Sequence, residues 1–593
     1  MTSRSEPGGL DTDPLDTHLL DTDRLITHTV RFLPSGSAAA ARPDETLLAA
    51  ARRAGVVLDA PCAGEGSCGK CGVRLAPDHA ERVVVLDPSV LPEAKLREGL
   101  VPACQTLPLA DVEVILPRVA AGGQIQIVVE GYPDGAGTGT RQGSLHLSSP
   151  HISKQYLPAE DRTLVLAGEE VIGTEPGDTR ESLRGVAVDV GTTTLVASLL
   201  DLRSGAVLAT ESSLNPQSLH AQDVLSRIKT AATAEGLAFL HAMLRDEINA
   251  LLGRLAAATR LPLRQVYEVV LSGNTAMMHL VTGAPTASLG KYPYQPAIRG
   301  GVSLSARDLR LRVSPFGLVY LPPILGPYVG ADITSGLLVT DLDRRDGVTL
   351  FVDIGTNGEL VLADHGRLIA TSTAAGPAFE GMNIRDGMRA APGAVERFEI
   401  RPDLSVRVGT IDGRPAVGIC GSGLVDVVAE LVRVGVVAAN GRMARPGEPA
   451  VAALEERLTM LDGKAAFRVA EQVYLTQPDV RQLQLAKGAI RAGIESLLDH
   501  AGLVAEQVDT AVIAGSFGYH LALPNLVRLG LLPAQLHDRV HFAGNTSRTG
   551  AEAFLRDATT RERAHRIVAA TDVVELADDK AFQKVFVRSL AFA

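Results

Sequence analysis

Two stretches of this chain carry one pattern, and everything after residue 184 is laid out around them. Gly185 to Leu200 reads GVAVDVGTTTLVASLL, and Val348 to Leu362 reads VTLFVDIGTNGELVL. In each, a β-branched apolar run predicts a buried strand. An Asp stands at its end (Asp189, Asp353), and Gly-Thr forces a tight turn before a second apolar run. The prediction is a strand-turn-strand hairpin, made twice. Gly191 and Gly355 let the backbone approach a ligand. The turn N–H groups and the hydroxyls of Thr192, Thr193 and Thr356 can hold phosphate oxygens, and each Asp can position a hydrated Mg2+. One copy alone is equally well an ordinary Gly-rich hairpin; the duplication is what points to phosphate chemistry.

Two D-x-G-T hairpins at this separation resemble the two phosphate loops of the superfamily of acetate and sugar kinases, heat-shock chaperones and actin. The resemblance implies duplicated ribonuclease-H-like halves that close over ATP, with lobes of about 185–345 and 346–593. The whole chain, at 593 residues, exceeds one core. It is 46% apolar and 21% charged, with no run of 18 apolar residues, so a globular protein outside the membrane is expected. A net charge of −11 without a basic cluster argues against nucleic acid as the main partner. The N-terminus has no basic region followed by an apolar core, so the cytoplasm is the expected compartment.

Residues 1–25, with LDT three times among Pro, Gly and acidic residues, read as a disordered tail. From Ile26 the pattern changes. THTVRFL alternates like a strand, Asp44 is placed to cap a helix over ETLLAAARRA, and Gly55 ends it. PCAGEGSCGKC then presents Cys62, Cys68 and Cys71 at C-x5-C-x2-C spacing, and Cys104 follows in PACQT. With three of five cysteines bunched, metal binding is a better reading than a disulfide framework. Gly64, Gly66, Gly69 and Gly72 let backbone N–H groups point at sulfur, and the fourth Cys arrives from elsewhere, which fits a [2Fe–2S] site. Zinc generally takes two C-x2-C knuckles, and one is present. The segment also resembles vertebrate-type ferredoxins. That implies a β-grasp domain over 26–118, with Cys62 and Cys68 on one iron and Cys71 and Cys104 on the other.

Residues 119–184 are rich in Gly and Pro and read mostly as linker, with one hairpin in RTLVLAGEEVIG that packs onto the next domain. Beyond the first phosphate hairpin, EGLAFLHAMLRDEINALLGRLAAAT has the spacing of a long amphipathic helix. Past the second, TSTAAGPAFEGMNIRDGMRAAPGAVE is a long loop carrying Glu380, a candidate to orient water or hold Mg2+. GICGSGLVDVVAEL turns through Gly421, Ser422 and Gly423 into a helix whose first N–H groups could face a nucleotide. TAVIAGSFGYHL, with Gly515 and Gly518, and RVHFAGNTSRTGAEAFL repeat the strand, Gly turn, helix theme of LSGNT. Such crossovers build a sheet whose carboxyl edge lines a nucleotide cleft.

The N-terminal ferredoxin, the linker, and the ordered motifs NPQ, SGNTAMMHL, YVGADITSG, VDIGTNGEL, AAGPAFEG, CGSGLVD, QLAKGAI and AGSFG resemble the reductive activators of corrinoid-dependent enzymes. The expected fold is therefore α+β and α/β: a β-grasp ferredoxin, a short middle segment and a two-lobed actin-like ATPase. The resemblance implies ATP-dependent one-electron reduction of Co(II) to Co(I) in a corrinoid protein that serves a methyltransferase. A [2Fe–2S] cluster, ATP and Mg2+ are the implied cofactors. An upstream electron donor and a homodimer through the C-terminal lobes are implied as well. Asp189, Thr192, Thr193, Asp353, Thr356 and Asn357 would hold Mg2+ and the phosphates. The family commonly has a larger middle domain than the roughly 60 residues between ferredoxin and ATPase here, and the NPQ segment has Ala221 where Gly is usual. The alternatives are an ATP-driven electron donor to another low-potential enzyme, a small-molecule kinase, and an ATP-gated scaffold.

Overall fold

The computed structural model describes residues 27–56, 58, 60, 64–66, 69–91, 93–97, 99–116, 150–355, 357–515, 521–576 and 580–593. The predicted tail and residues 119–149 of the predicted linker lie outside them.

At the N-terminus a five-stranded sheet runs in the order Ser37–Ala41, His28–Leu33, Val112–Ile115, Gly72–Leu75, Leu100–Pro102. Its first strand is parallel to Val112–Ile115 and antiparallel to Ser37–Ala41. The alternation in THTVRFL sends Val30 and Phe32 into a core completed by Leu47, Leu48 and Ala51 of helix α1 (Leu47–Arg53). This is a β-grasp arrangement. The helix is capped by Thr46, whose hydroxyl accepts from the Ala49 N–H, and not by Asp44. It starts later than its apolar pattern suggested, because Glu45 is drawn into ion pairs with Arg42 and Arg53.

Residues 150–183 are more ordered than their composition suggested. The hairpin Arg162–Ala167 with Glu170–Pro176 gains a third antiparallel strand, Ile152–Leu157. Ile152, Val165 and Leu183 join the core shared by the two lobes. A β-carbon on Gly173 would sit 2.3 Å from the Phe316 ring, so the sheet is fitted onto the first lobe.

Each lobe is built on a six-stranded sheet with the same inner order. In the first, the hairpin of β1 (Arg184–Val190) and β2 (Thr194–Asp201) continues into Val207–Leu214 on one side. On the other side β1 lies parallel to Val266–Ser272, followed by Leu318–Leu321 and Val302–Ser305. Across the sheet run α2 (Val224–Thr230), the long helix Ala234–Thr259 and α3 (Ala331–Val339). In the second lobe, β3 (Val348–Ile354) and β4 (Gly358–Asp364) form the hairpin, Arg367–Thr373 and Thr571–Val573 extend it, and β3 is parallel to Thr510–Ala514, then Val540–Gly544. Asp189 pairs with Ser272 in its parallel neighbour and Asp353 with Ala514, so the repeated Asp holds the same topological place twice. Helices α4 (Gly421–Arg433), α5 (Gln477–Ala501) and α6 (Thr546–Arg556) complete the second lobe.

One core fills each lobe, and a third joins them through Ile333 and Leu337 of α3 and Ala551 and Phe554 of α6. Small residues let the two helices touch: a β-carbon on Gly550 would lie 2.3 Å from the Ser335 carbonyl oxygen. No helix among the described residues is long and apolar enough to cross a membrane.

Candidate functional site

The two hairpins face each other across a cavity of about 270 Å³. The first contributes Asp189, Gly191, Thr192 and Thr193, and the second Asp353, Gly355 and Asn357. The start of α4 adds Gly421 and Ser422, the end of strand Thr510–Ala514 adds Gly515, and the long loop adds Glu380. Thr356 and Gly518 lie outside the described residues. Gly423 does not line the cavity. It lets α4 lie against the Val395 carbonyl, which a β-carbon would approach to 2.0 Å.

The hairpin backbones are shaped for close approach. A β-carbon on Gly191 would meet the Thr194 carbonyl at 2.4 Å, and one on Gly515, at φ 90°, would meet the Asp353 carboxylate at 2.6 Å. The first loop is then pinned from behind. Asn215 Nδ2 donates to the Gly191 carbonyl (2.9 Å), and buried Arg227 donates from Nη2 to the Thr192 carbonyl (2.5 Å). Across the cleft the Thr193 hydroxyl donates to Glu380 Oε2 (2.5 Å), a contact between the lobes.

Several lining residues were not singled out by sequence reasoning as site residues: Asp332, Glu359, Asn274, Arg389, Glu396, Asn545 and Ser547. Two of them had a visible signal. The tripeptide Gly-Asn-Thr follows a strand twice, and each Asn caps the next helix. Asn274 Nδ2 donates to Thr192 Oγ1 (2.9 Å) and Asn545 Nδ2 to Asp189 Oδ2 (2.8 Å), so both reach the first hairpin. Cys420, also at the wall, is a small buried residue whose thiol donates to the Val395 carbonyl (3.2 Å).

Charge dominates this cavity. Burial, then neighbouring Asp189, pushes Asp353 up to about 7. Asp332 is raised by burial and then by Asp353, and Glu359 is held well above the carboxylate range by burial and then by Asp332 and Asp353. Burial also raises Asp189, against hydrogen bonds from Asn545 and Ser547. Buried carboxylates crowded together are a hard-oxygen donor set that a divalent cation relieves. Arg389 is the one cationic side chain among the described lining residues.

At the other site Cys71 and Cys104 are buried with their sulfurs 3.2 Å apart, near enough for one metal ion to hold both. Cys62 and Cys68 lie outside the described residues. The loop between them turns through Gly64 at φ 102°, where a β-carbon would press within 3.2 Å of Leu48. The donor chemistry and the tight loop fit an iron–sulfur cluster.

Three family descriptions match, in order: a 2Fe-2S iron-sulfur cluster binding domain over residues 31–109, the RACo middle region over 184–345, and the C-terminal ASKHA domain of RACo over 347–593. The corrinoid activation enzyme RamQ of Eubacterium limosum is 30% identical over 455 residues, covering 74% of this chain and 76% of RamQ. The chain belongs to the RACo family. A second relative, the [Co(II) methylated amine-specific corrinoid protein] reductase of Methanosarcina barkeri, is 26% identical over 444 residues, covering 69% of this chain and 77% of that protein. The solved reductive activator for corrinoid,iron-sulfur protein superposes with a TM-score of 0.69 at 29% identity, covering 95% of this chain and 98% of that one. The match to the RACo middle region falls on the first lobe and not on the residues before it. The RACo cofactors are a 2Fe–2S cluster in the N-terminal domain and ATP with Mg2+ in the ASKHA domain.

Proposed function

We propose that this RACo chain is an ATP-dependent reductive activator of a corrinoid protein, passing one electron to Co(II) so that Co(I) is regenerated and a methyltransferase partner re-enters its cycle. The observation that carries the reading is the union, in one chain and in the order of its relatives, of a cluster-binding domain with a cavity lined by both Asp-Gly hairpins. The bound cluster supplies a one-electron donor near about −400 mV. Co(I) lies lower in such systems, and each 59 mV uphill costs about tenfold in equilibrium. Nucleotide changes that balance only by binding two states of the protein differently.

The residues provide those states. Asp189, Asp332 and Asp353 would fix Mg2+ on the phosphates. Thr192, Thr193 and Asn357, with Thr356, would hold phosphate oxygens. Gly421, Ser422 and Gly515, with Gly518, would line the nucleotide. Glu380, which accepts from the Thr193 hydroxyl of the other lobe, would orient the attacking water. An external low-potential donor reloads the chain after each electron, and association of two copies through the C-terminal lobes belongs to the same reading.

The test mixes reduced holoprotein with a Co(II) corrinoid protein and follows the Co(I) absorbance band with and without Mg2+-ATP. Band growth that requires nucleotide is expected. Equal growth without nucleotide would overturn the coupling, and phosphorylation of a sugar or acid in place of cobalt reduction would make the chain a kinase.

A further inference from the structure

The segment from Asn215 to Thr230 faces two ways. Toward the cavity it holds the first phosphate hairpin by its backbone. Asn215 N–H donates to the Thr193 carbonyl (2.9 Å), Asn215 Nδ2 to the Gly191 carbonyl (2.9 Å), and Arg227 Nη2 to the Thr192 carbonyl (2.5 Å). On its other side the same segment carries the ferredoxin domain. Arg52 of α1 donates from Nε to the Leu219 carbonyl (2.8 Å) and from Nη2 to the His220 carbonyl (3.4 Å). Gln222 donates to the Leu58 carbonyl (3.1 Å), and Lys229 pairs with Glu65, which stands between Cys62 and Cys68.

Arg227 joins the two sides. It is wholly buried, and besides Thr192 its fork holds Gln217 Oε1 (3.1 Å) and, through Nε, the Ala221 carbonyl (3.0 Å), one residue from Gln222. A planar guanidinium with three oxygen acceptors in fixed directions ties them as one body, so a displacement of the phosphate loop is passed to the docking loop. The exposed Lys229–Glu65 pair contributes little energy. The half-buried Arg52 and buried Gln222 bonds set the docking.

We propose that Arg227 is a positioning residue that couples the first phosphate hairpin to the docking of the ferredoxin domain, so that nucleotide in the cavity alters where the cluster domain sits. This deepens the reading of the chain as an ATP-coupled electron donor and rests on it. It gives the two nucleotide states a route to the electron carrier that runs through one side chain.

The test places donor and acceptor fluorophores, through bio-orthogonal residues, at exposed Glu81 of the ferredoxin domain and exposed Glu235 of the first lobe. Energy transfer in the full-length holoprotein is measured with and without Mg2+ and a non-hydrolysable ATP analogue. Wild type is expected to change its transfer efficiency on adding nucleotide. R227K keeps the charge but not the fork, and it is expected to bind nucleotide yet lose that change. Should R227K fail to fold, the R52A/Q222A variant decides. Its transfer efficiency is expected to fall both with and without nucleotide, its ATP hydrolysis to stay within twofold of wild type, and its ATP-driven Co(I) formation to drop at least fivefold. A wild-type efficiency that ignores bound nucleotide, an R227K response equal to wild type, or unaltered docking in R52A/Q222A would overturn the proposal. Nucleotide-dependent cobalt reduction without any change in transfer would sink the link alone. A change in transfer with no cobalt reduction would sink the function and leave the link.

Discussion

Burial, then the negative charge of Asp189 across the cavity, raises the proton affinity of Asp353, and the charge of a divalent cation would turn that repulsion into binding. Asp353→Ala is expected to cut ATP hydrolysis by about 100-fold or more, the size of losing one preorganised electrostatic group at a reacting centre. It should leave the visible spectrum of the cluster unchanged. Cys71→Ala should do the reverse, bleaching the spectrum while hydrolysis persists; if either variant damages both properties, the two sites are not separate. Arg389 brings positive charge to the cavity wall, so Arg389→Ala should weaken nucleotide binding by about tenfold in titration calorimetry, as expected for one charged hydrogen bond. The hairpin residues were legible because a strand, an Asp and a Gly-Thr turn are contiguous in sequence. Arg389, Asp332 and Glu359 were not: the first sits in a Gly-Pro loop, the second opens a helix, and the third hides in a strand run. Only the fold brings them to one cavity.

At the scale of an element, α5 buries a cation against the end of the chain. Its N-terminus is capped as the pattern predicts, by Thr476 with Asp479. Lys487 and Arg491 stand one turn apart on it, and Lys487 is only 1% exposed. It donates to the Ala591 carbonyl and lies 5.3 Å from the Phe592 ring centre, while Gln484 holds the Leu590 carbonyl. The last residues strap across the helix, and long-range closure of that kind leaves no local sequence pattern. Burial, then Arg491, lowers the Lys487 ammonium to about 7. Its unfolded value is near 10.5, so between about pH 7 and 10.5 the unfolded chain binds a proton that the folded chain lacks. Stability from this group therefore rises with pH across that window, by at most about 1.4 kcal/mol per unit, and the burial cost is fully present below pH 7. K487M should flatten that slope in urea unfolding at pH 6, 7, 8 and 9, with its largest relative gain at pH 6. A slope as steep as wild type would mean that the lysine keeps its proton when buried.

For the whole molecule, the duplication that was plain in sequence predicts two lobes but says nothing of how they meet. The meeting surface is made of residues that carry no signature. Gly336 of α3 lies where a β-carbon would be 2.8 Å from the Phe351 ring and 3.0 Å from Thr546, and Gly550 of α6 lies against Ser335. The Ser272 hydroxyl, between the helices, hydrogen-bonds to Ser335 (2.8 Å) and accepts from Ser547 (3.1 Å). Because the core through α3 and α6 is shared, the lobes should unfold in one transition, whereas the ferredoxin domain has its own core around Val30, Phe32 and Leu48. Gly550→Ala puts a methyl group onto backbone that cannot yield like a side-chain tip. It should cost about 1–3 kcal/mol, the usual range for overpacking. Calorimetry should therefore show the lobe transition shifted down while the bleaching temperature of the cluster stays fixed. Saturating Mg2+-ATP at about 100 times its dissociation constant should return about 2.7 kcal/mol to the lobe transition in wild type. It should return less in Gly550→Ala, because helices held apart at this contact cannot close the cavity fully. An equal recovery in both proteins would show that closure does not run through the α3–α6 contact, and the hinge would have to be sought elsewhere along the shared core.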